Sequence, residues 1–175
     1  AVAAGRMVVG VCGGYQMLGR TVRDPRGLEG EPGETAGLGF LDCETELAAD
    51  KVLARAAGEW VEDATPVDGY EIHMGRTLLG PAAFPVVRLH ERNAGPTDEP
   101  DGARNAAGAV WGTYLHGLFD RPEFRNRFLR RLDPAFRGTD PRAAAQFKEE
   151  QYDLLAEHFA RHLDVPRLLR IAGLA

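Results

Sequence analysis

The stretch GVCGGYQMLG, residues 10–19, constrains the fold more than any other part of the chain. It follows the apolar residues 7–9 and places Cys12 between glycines. A short apolar run that ends at a glycine turn is typical of a buried parallel strand. In the G-x-nucleophile-x-G elbow the flanking glycines are needed because side chains two residues away would collide. The stretch therefore predicts a strand over residues 7–11, a sharp turn at Cys12 and a helix over residues 14–20.

Two interpretations of Cys12 follow from this turn. In the first, Cys12 is a nucleophile at the N-terminus of a helix, where the helix dipole favours negative charge on the sulfur. The backbone N–H of Gly13 would then be free to bind an oxyanion. In the second, Cys12 is a small buried residue in an ordinary strand-to-helix turn.

The remaining pattern predicts an α/β domain. Residues 21–37 and 92–108 are rich in turn-forming and charged residues and predict loops, the second with a short hairpin arm. Residues 59–65 are expected to continue a sheet after a poor helical patch. Further strands are expected over residues 38–47, 70–77, 85–91 and 110–114, and helices from Pro122 and over residues 141–162. The second helix would place Phe147, Leu154, Leu155, Phe159 and Leu163 on one side.

Composition narrows the class of protein. The 175 residues are 44% hydrophobic, enough for one domain with a sizeable core. The net charge of -5, with acids and bases interleaved, argues against a nucleic-acid partner. No apolar segment approaches the roughly 18 residues that span a bilayer. We therefore expect a soluble, cytoplasmic domain without a membrane partner, in which Cys12 and Cys43 are both thiols, Cys43 being a packing residue.

A cysteine nucleophile needs a base, and the chain has five histidines. His116 follows a β-branched and aromatic strand in VWGTYLHGLF, and the carboxyl ends of strands are where α/β sheets build their sites. His73, in GYEIHMG, has a similar setting and is the competing candidate. His90, His158 and His162 have charged or polar neighbours and are expected at the surface or the edge of the core.

Four stretches occur in an order that resembles one family. They are GVCGGYQMLG, DPRGLEG at 24–30, GYEIHMGRT at 69–77 and WGTYLHGLFD at 111–120, and the tail YDLLAEHFARHLDVPRLLRIAG adds to the match. They resemble the C-terminal glutamine amidotransferase domain of cobyric acid synthases. The resemblance implies a class I, flavodoxin-like sheet with flanking helices and one amidotransferase domain over residues 1–175. It also implies that L-glutamine is hydrolysed and that its ammonia passes to a synthetase domain.

The same resemblance implies roles for particular residues. Cys12 and His116 would be catalytic and Gly13 would donate to the oxyanion. Gln16, Tyr70, Glu71 and His73 would line the glutamine pocket, although Gln16 also fits an ordinary helix residue. No metal or cofactor is expected in this chain, because ATP and magnesium would belong to the synthetase domain that amidates adenosylcobyrinic acid a,c-diamide.

Two features depart from the pattern of related amidotransferases. Many of them carry a glutamate two residues after the catalytic histidine, where this chain has Leu118. A backbone carbonyl, Glu71 or Asp120 would then orient His116, or Cys12 and His116 would work as a dyad. Only eleven residues precede Cys12, so we expect the first strands of the domain, and the synthetase domain, to be missing. The alternatives are the amidotransferase of a cobyrinic acid a,c-diamide synthase or of a cell-wall amidating ligase, or an inactive fragment.

Overall fold

The computed structural model describes residues 6–138 and 144–174. The chain forms two units, Ala1–Phe119 and Asp120–Ala175. The first unit contains β1 (Val8–Val11), α1 (Gly13–Leu18), β2 (Thr21–Asp24), β3 (Gly33–Ala36), β4 (Cys43–Trp60), β5 (Pro66–Leu79), β6 (Ala83–Phe84), β7 (Val87–Arg92), β8 (Gly95–Asp101), β9 (Ala103–Asn105), β10 (Val110–Thr113) and β11 (Leu115–His116). The second contains α2 (Pro122–Leu132), α3 (Ala144–His162) and α4 (Val165–Ile171).

The strands of the first unit form two sheets. The smaller sheet has the order β1-β10-β9-β6, in which β1 and β10 are parallel. The larger sheet has the order β11-β5-β4-β2-β3, and β7 joins it through β4 and pairs with β8. Only Tyr114 separates β10 from β11, so the chain passes from one sheet to the other at this residue. The predicted α/β class, with sheets and flanking helices, is confirmed.

A buried cluster holds α1 against the smaller sheet. Tyr15 and Leu18, three residues apart on one side of α1, are 1% and 3% exposed. They pack with Val110 of β10 and with Tyr114, whose ring meets the Tyr15 ring edge-on at 5.1 Å between centroids. Cys43 belongs to the same cluster, and burial raises the pKa of its thiol to about 11. The structure thus places Cys43 in the core, as the sequence predicts.

The predicted loop over residues 21–37 is wrong, because β2 and β3 form an antiparallel hairpin there. The hairpin is polar and has no apolar alternation, so its sequence reads as a loop. Ion pairs link the strands instead of apolar contacts: Arg23 of β2 contacts Glu34 of β3 and Glu44 of β4 at 2.9 Å each. Between the strands, the carboxylate of Asp24 accepts the N–H groups of Leu28 and Glu29, which closes the turn DPRGLEG.

The long hairpin β4–β5 is the main departure from the expected strand lengths. β4 runs for 18 residues through the patch that the sequence assigns to a poor helix, and it ends at Trp60. It pairs with β5 from Cys43↔Leu79 to Glu59↔Pro66, with one irregularity between Glu46 and Lys51. The prediction that residues 59–65 continue the sheet is wrong beyond Trp60, because residues 61–65 form the turn between β4 and β5. The other predicted strands are found, but β8 and β9 occupy more of the expected loop at 92–108 than a short hairpin arm would. Pairing to neighbouring strands has overridden weak local preference.

The second unit is helical. Pro122 is in the first turn of α2, as predicted, and α3 covers most of the predicted last helix, whose first residues lie outside the described part of the chain. The five residues predicted for one side of α3 and its end, from Phe147 to Leu163, are each at least 46% exposed. No helix among the described residues is long and apolar enough to cross a membrane.

The contact between β5 and β11 yields a prediction on stability. A Cβ at Gly69 would lie 1.8 Å from the carbonyl oxygen of His116, so Gly69→Ala must separate the two strands. Overpacking of this kind costs about 1–3 kcal/mol, and we expect Gly69→Ala to lower the free energy of unfolding by that amount in chemical denaturation. Gly33→Ala is the matched control, because a Cβ there would meet only the Glu31 carbonyl at 3.9 Å. Equal stability of the two variants would contradict the close approach.

Candidate functional site

The turn between β1 and α1 has the backbone strain expected of a nucleophile elbow. Cys12 has φ 55° and ψ -118°, a conformation that residues with a side chain rarely adopt. A Cβ at Gly10 would lie 2.6 Å from the Gly14 backbone, so this position requires glycine. A Cβ at Gly14 itself would meet nothing within 4 Å. The steric reason predicted for both flanking glycines therefore holds at Gly10 and is wrong at Gly14.

The elbow is joined to the strand that leads to His116. The Cys12 N–H donates to the Thr113 carbonyl at 2.9 Å, which continues the β1–β10 ladder by one residue. Because β1 and β10 are parallel, both chains leave the sheet at the same edge. One then enters α1, and the other reaches His116 three residues later.

Strand β5 receives hydrogen bonds from the elbow and from α1. The Cys12 thiol donates to the Ile72 carbonyl with an Sγ–O distance of 3.4 Å. The Gln16 amide nitrogen donates to the Met74 carbonyl at 3.1 Å and to the Tyr114 hydroxyl at 3.2 Å. Residues 12 and 16 are one helical turn apart, so their side chains meet alternate carbonyls of β5. This arrangement gives Gln16 a structural contact in addition to its predicted place near the nucleophile.

His116, in β11, contacts the same stretch of β5. Its backbone pairs with Tyr70, two residues before Ile72, and its ring stacks on the Tyr70 ring at 4.9 Å with an interplanar angle of 8°. Tyr70 is 48% exposed, whereas Nε2 of His116 is buried and has no hydrogen-bond partner among the described residues. Cys12 thus contacts β5 at Ile72, and His116 contacts it two residues earlier, at Tyr70.

His73 is packed into the protein. Its ring stacks on the Tyr114 ring at 3.7 Å between centroids, and its Nε2 is 3.9 Å from Oε1 of Glu71, beyond hydrogen-bond distance. The His73 side chain is only 8% exposed. Its Nδ1, like Nε2 of His116, has no partner within the described chain. His73 therefore has a stacking partner and a carboxylate neighbour of its own.

Glu71 is a buried carboxylate held by Arg92. Arg92 donates to its two oxygens at 2.8 and 3.2 Å, a bidentate pair, and also reaches Glu99 at 2.5 Å. Burial raises the pKa of Glu71, but His73 and Arg92 outweigh it and leave that pKa below its ordinary value. Side chains alternate along a strand. Because Tyr70 pairs with His116, and Glu71 with Leu115, the Glu71 carboxylate lies on the face of β5 opposite to the His116 ring.

The other residues considered for orienting His116 have different surroundings. Leu118 is buried at 1% exposure. The Asp120 carboxylate, in the second unit, accepts a hydrogen bond from the Lys148 ammonium at 2.8 Å.

Sequence reasoning missed three residues that organise this region. Tyr114 links α1 to the larger sheet, because its hydroxyl contacts Thr77 at 2.6 Å as well as Gln16. Arg92 and Asp101 both come from residues 92–108, which the sequence assigns to a polar loop. Of the three, only Tyr114 could have been noticed in the sequence, through its position in the motif WGTYLHGLFD. The burial of Asp101 and the partial burial of Arg92 depend on tertiary packing, which the sequence does not show.

A cavity of about 630 Å³ lies beside α1, next to the elbow. Gly13 and Gln16 line it, together with residues of the β2–β3 hairpin. Its lining includes four carboxylates, Asp24, Glu29, Glu31 and Glu34, and the apolar residues Met17, Val22 and Leu47. Backbone N–H groups of Glu29 and Leu28 lower the pKa of Asp24, so this carboxylate stays ionised. Among the described residues no group of three or more His, Cys, Asp or Glu side chains is placed to hold a metal ion.

Comparisons of the sequence with known proteins identify one family. The CobB/CobQ-like glutamine amidotransferase domain matches residues 1–124. A protein named cobyric acid synthase from Chlorobaculum tepidum is 49% identical over 98% of this chain and 33% of its own length, and one from Chlorobium phaeobacteroides is 48% identical over 95% and 32%. A solved structure titled "Crystal structure of glutamine amidotransferase" has a TM-score of 0.45 and 17% identity over 72% of this chain and 60% of that one. This chain spans about a third of the length of these curated relatives. It belongs to the CobB/CobQ-like glutamine amidotransferase domain family.

Proposed function

We propose that this chain hydrolyses L-glutamine with Cys12 as nucleophile and His116 as acid and base, and that the ammonia serves an amidation reaction. The observation that carries the proposal is the strained turn at Cys12, whose thiol contacts the β5 segment on which His116 stacks. His73 is the weaker candidate for the base because its ring is packed between Tyr114 and Glu71.

The first half of the reaction forms a thioester. The Cys12 sulfur, as the thiolate, attacks the side-chain amide carbon of glutamine, and the amide oxygen becomes negatively charged. The N–H of Gly13, in the first turn of α1, is the proposed donor to that oxygen. The C–N bond then breaks, and ammonia leaves with a proton that protonated His116 gives up.

The second half returns the enzyme to its starting state. His116, now neutral, takes a proton from water while the water oxygen attacks the γ-glutamyl thioester carbon. The C–S bond breaks, glutamate is released, and the Cys12 thiolate and protonated His116 are restored.

The cavity beside α1 is the proposed glutamine site. Gly13 and Gln16 at its wall place it next to the nucleophile, and its carboxylates favour the α-ammonium group of the substrate. Tyr70 is not among the residues that line this cavity, and we propose that it belongs to the site through its stacking on His116. Glu71 and His73 would support the site from behind β5, with the Glu71–Arg92 pair fixing the strand.

The curated relatives suggest the use of the ammonia. Because they are named cobyric acid synthase and are about three times as long as this chain, we propose that a synthetase region accepts the ammonia. That region would use ATP and magnesium to amidate carboxylates of adenosylcobyrinic acid a,c-diamide. The proposed location is the cytoplasm, which the two free thiols favour.

The nucleophile can be tested by a pair of cysteine variants. In the full-length protein, we expect Cys12→Ser to abolish glutamine-dependent amidation and to leave ammonia-dependent amidation intact. Cys43→Ser is the matched control and should keep glutamine-dependent turnover, because Cys43 is buried in the core. Loss of glutamine-dependent activity in Cys43→Ser with full activity in Cys12→Ser would overturn the assignment.

The stacking of Tyr70 on His116 leads to a second prediction. Tyr70→Ala removes the ring that fixes the imidazole plane, and we expect kcat for glutamine hydrolysis to fall roughly 10- to 100-fold, a part of the 10²–10⁴-fold that acid–base catalysis contributes. Tyr70→Phe keeps the stack and should keep kcat within about two-fold. Tyr152→Ala, at a 59% exposed tyrosine of α3, controls for the loss of a surface ring. A rise in KM for glutamine with unchanged kcat in Tyr70→Ala would show that Tyr70 contacts substrate and does not orient His116.

A further inference from the structure

Asp101 is a buried carboxylate that the reaction described above does not use. It is the last residue of β8, and it is 6% exposed. Its two oxygens accept hydrogen bonds from the Thr113 hydroxyl and from the Tyr114 N–H, the latter at 3.2 Å. Both donors belong to the short segment where the chain leaves β10 for β11.

Strand pairing holds this segment on either side of Tyr114, because Thr113 pairs with Val11 and Leu115 with Glu71, but Tyr114 itself belongs to no strand. The Tyr114 N–H donates to Asp101, and the Leu115 N–H donates to the Thr113 hydroxyl oxygen at 3.0 Å. Two successive backbone N–H groups of the turn are therefore satisfied by side chains. Since the Thr113 hydroxyl accepts from Leu115 and donates to Asp101, the carboxylate of Asp101 fixes both bonds.

The same segment reaches both proposed catalytic residues. The Thr113 carbonyl accepts the Cys12 N–H at 2.9 Å, and His116 follows Leu115 directly. Thr113 is fully buried, so solvent does not replace a lost partner there. Burying a carboxylate costs free energy unless donors satisfy it, and burial raises the pKa of Asp101. That cost is offset here in part by the Thr113 hydroxyl and the Tyr114 N–H, which belong to the segment that leads to His116.

We propose that Asp101 is a positioning residue that sets the distance between the Cys12 sulfur and the His116 ring. It touches neither side chain and acts through the backbone from Thr113 to Leu115. The inference rests on the proposed hydrolysis of glutamine. A displacement of about 1 Å between reacting groups can cost on the order of 100-fold in rate. None of residues 113–115 is among the described residues that line the cavity beside α1, so we expect kcat to change more than KM.

The test uses the full-length protein and five variants. For Asp101→Asn and Thr113→Val we expect kcat for glutamine hydrolysis to fall about 10- to 100-fold, with KM for glutamine within about two-fold and ammonia-dependent amidation retained. Thr113→Ser keeps the hydroxyl and should restore kcat to within about three-fold of the original. Asp98→Asn is the matched control, because Asp98 is an exposed carboxylate of the same strand, paired with Arg88 at 2.6 Å. In the double variant Asp101→Asn/Thr113→Val, kcat should fall no further than in the less active of the two single variants, since both changes break one network.

The outcomes separate this inference from the proposed function. Absence of glutamine hydrolysis in the unaltered protein would overturn the proposed function. Hydrolysis by the unaltered protein together with unchanged kcat in Asp101→Asn and Thr113→Val, or a change confined to KM, would overturn the positioning role. If Asp101→Asn does not fold, the two Thr113 variants decide: equal kcat in Thr113→Ser and Thr113→Val contradicts the inference, and a difference of about ten-fold or more supports it.

Discussion

The hydrogen bond from the Cys12 amide to the Thr113 carbonyl is the contact on which the rest of the site depends. It extends the parallel β1–β10 ladder to the turn itself, so the strained backbone of Cys12 is held by a buried strand. Strain of this kind costs about 1–3 kcal/mol and persists only where the surroundings enforce it. The same bond ties Cys12, the proposed nucleophile, to the chain that leads to His116. A parallel pair is essential here, because an antiparallel one would send the two chains to opposite edges of the sheet.

Strand β5 completes the arrangement from the other sheet. Its carbonyls at Ile72 and Met74 receive the Cys12 thiol and the Gln16 amide, and Tyr70 stacks on His116. On its opposite face the strand carries Glu71, whose burial is tolerated because Arg92 binds both carboxylate oxygens. A buried ion pair is weak support for stability, but it has fixed geometry. It fixes Glu71 on one face of β5, and on the other face Tyr70 stacks on the His116 ring.

The parts of the site that are local in sequence could be predicted from it. The elbow follows from glycines around Cys12, and the strand that delivers His116 follows from β-branched and aromatic residues before it. The β2–β3 hairpin was not predictable from apolar periodicity, because ion pairs such as Arg23–Glu34 stabilise a polar edge. Asp101 was hidden for a related reason: it lies in a polar stretch, and only tertiary packing buries it. The sequence alone points to Cys12 and His116, whereas the burial of charged residues near them, such as Asp101, is seen only in the fold.

The most direct test of the account is a crystal structure of the protein after reaction with a glutamine-like electrophile. The account predicts a covalent bond to the Cys12 sulfur, with a ring nitrogen of His116 within about 4 Å of that sulfur, allowing for loose geometry outside the transition state. It also predicts that Tyr70 remains stacked on the His116 ring. Modification of Cys43, or an adduct at Cys12 that faces His73 while His116 points away, would contradict the proposed pairing of nucleophile and base.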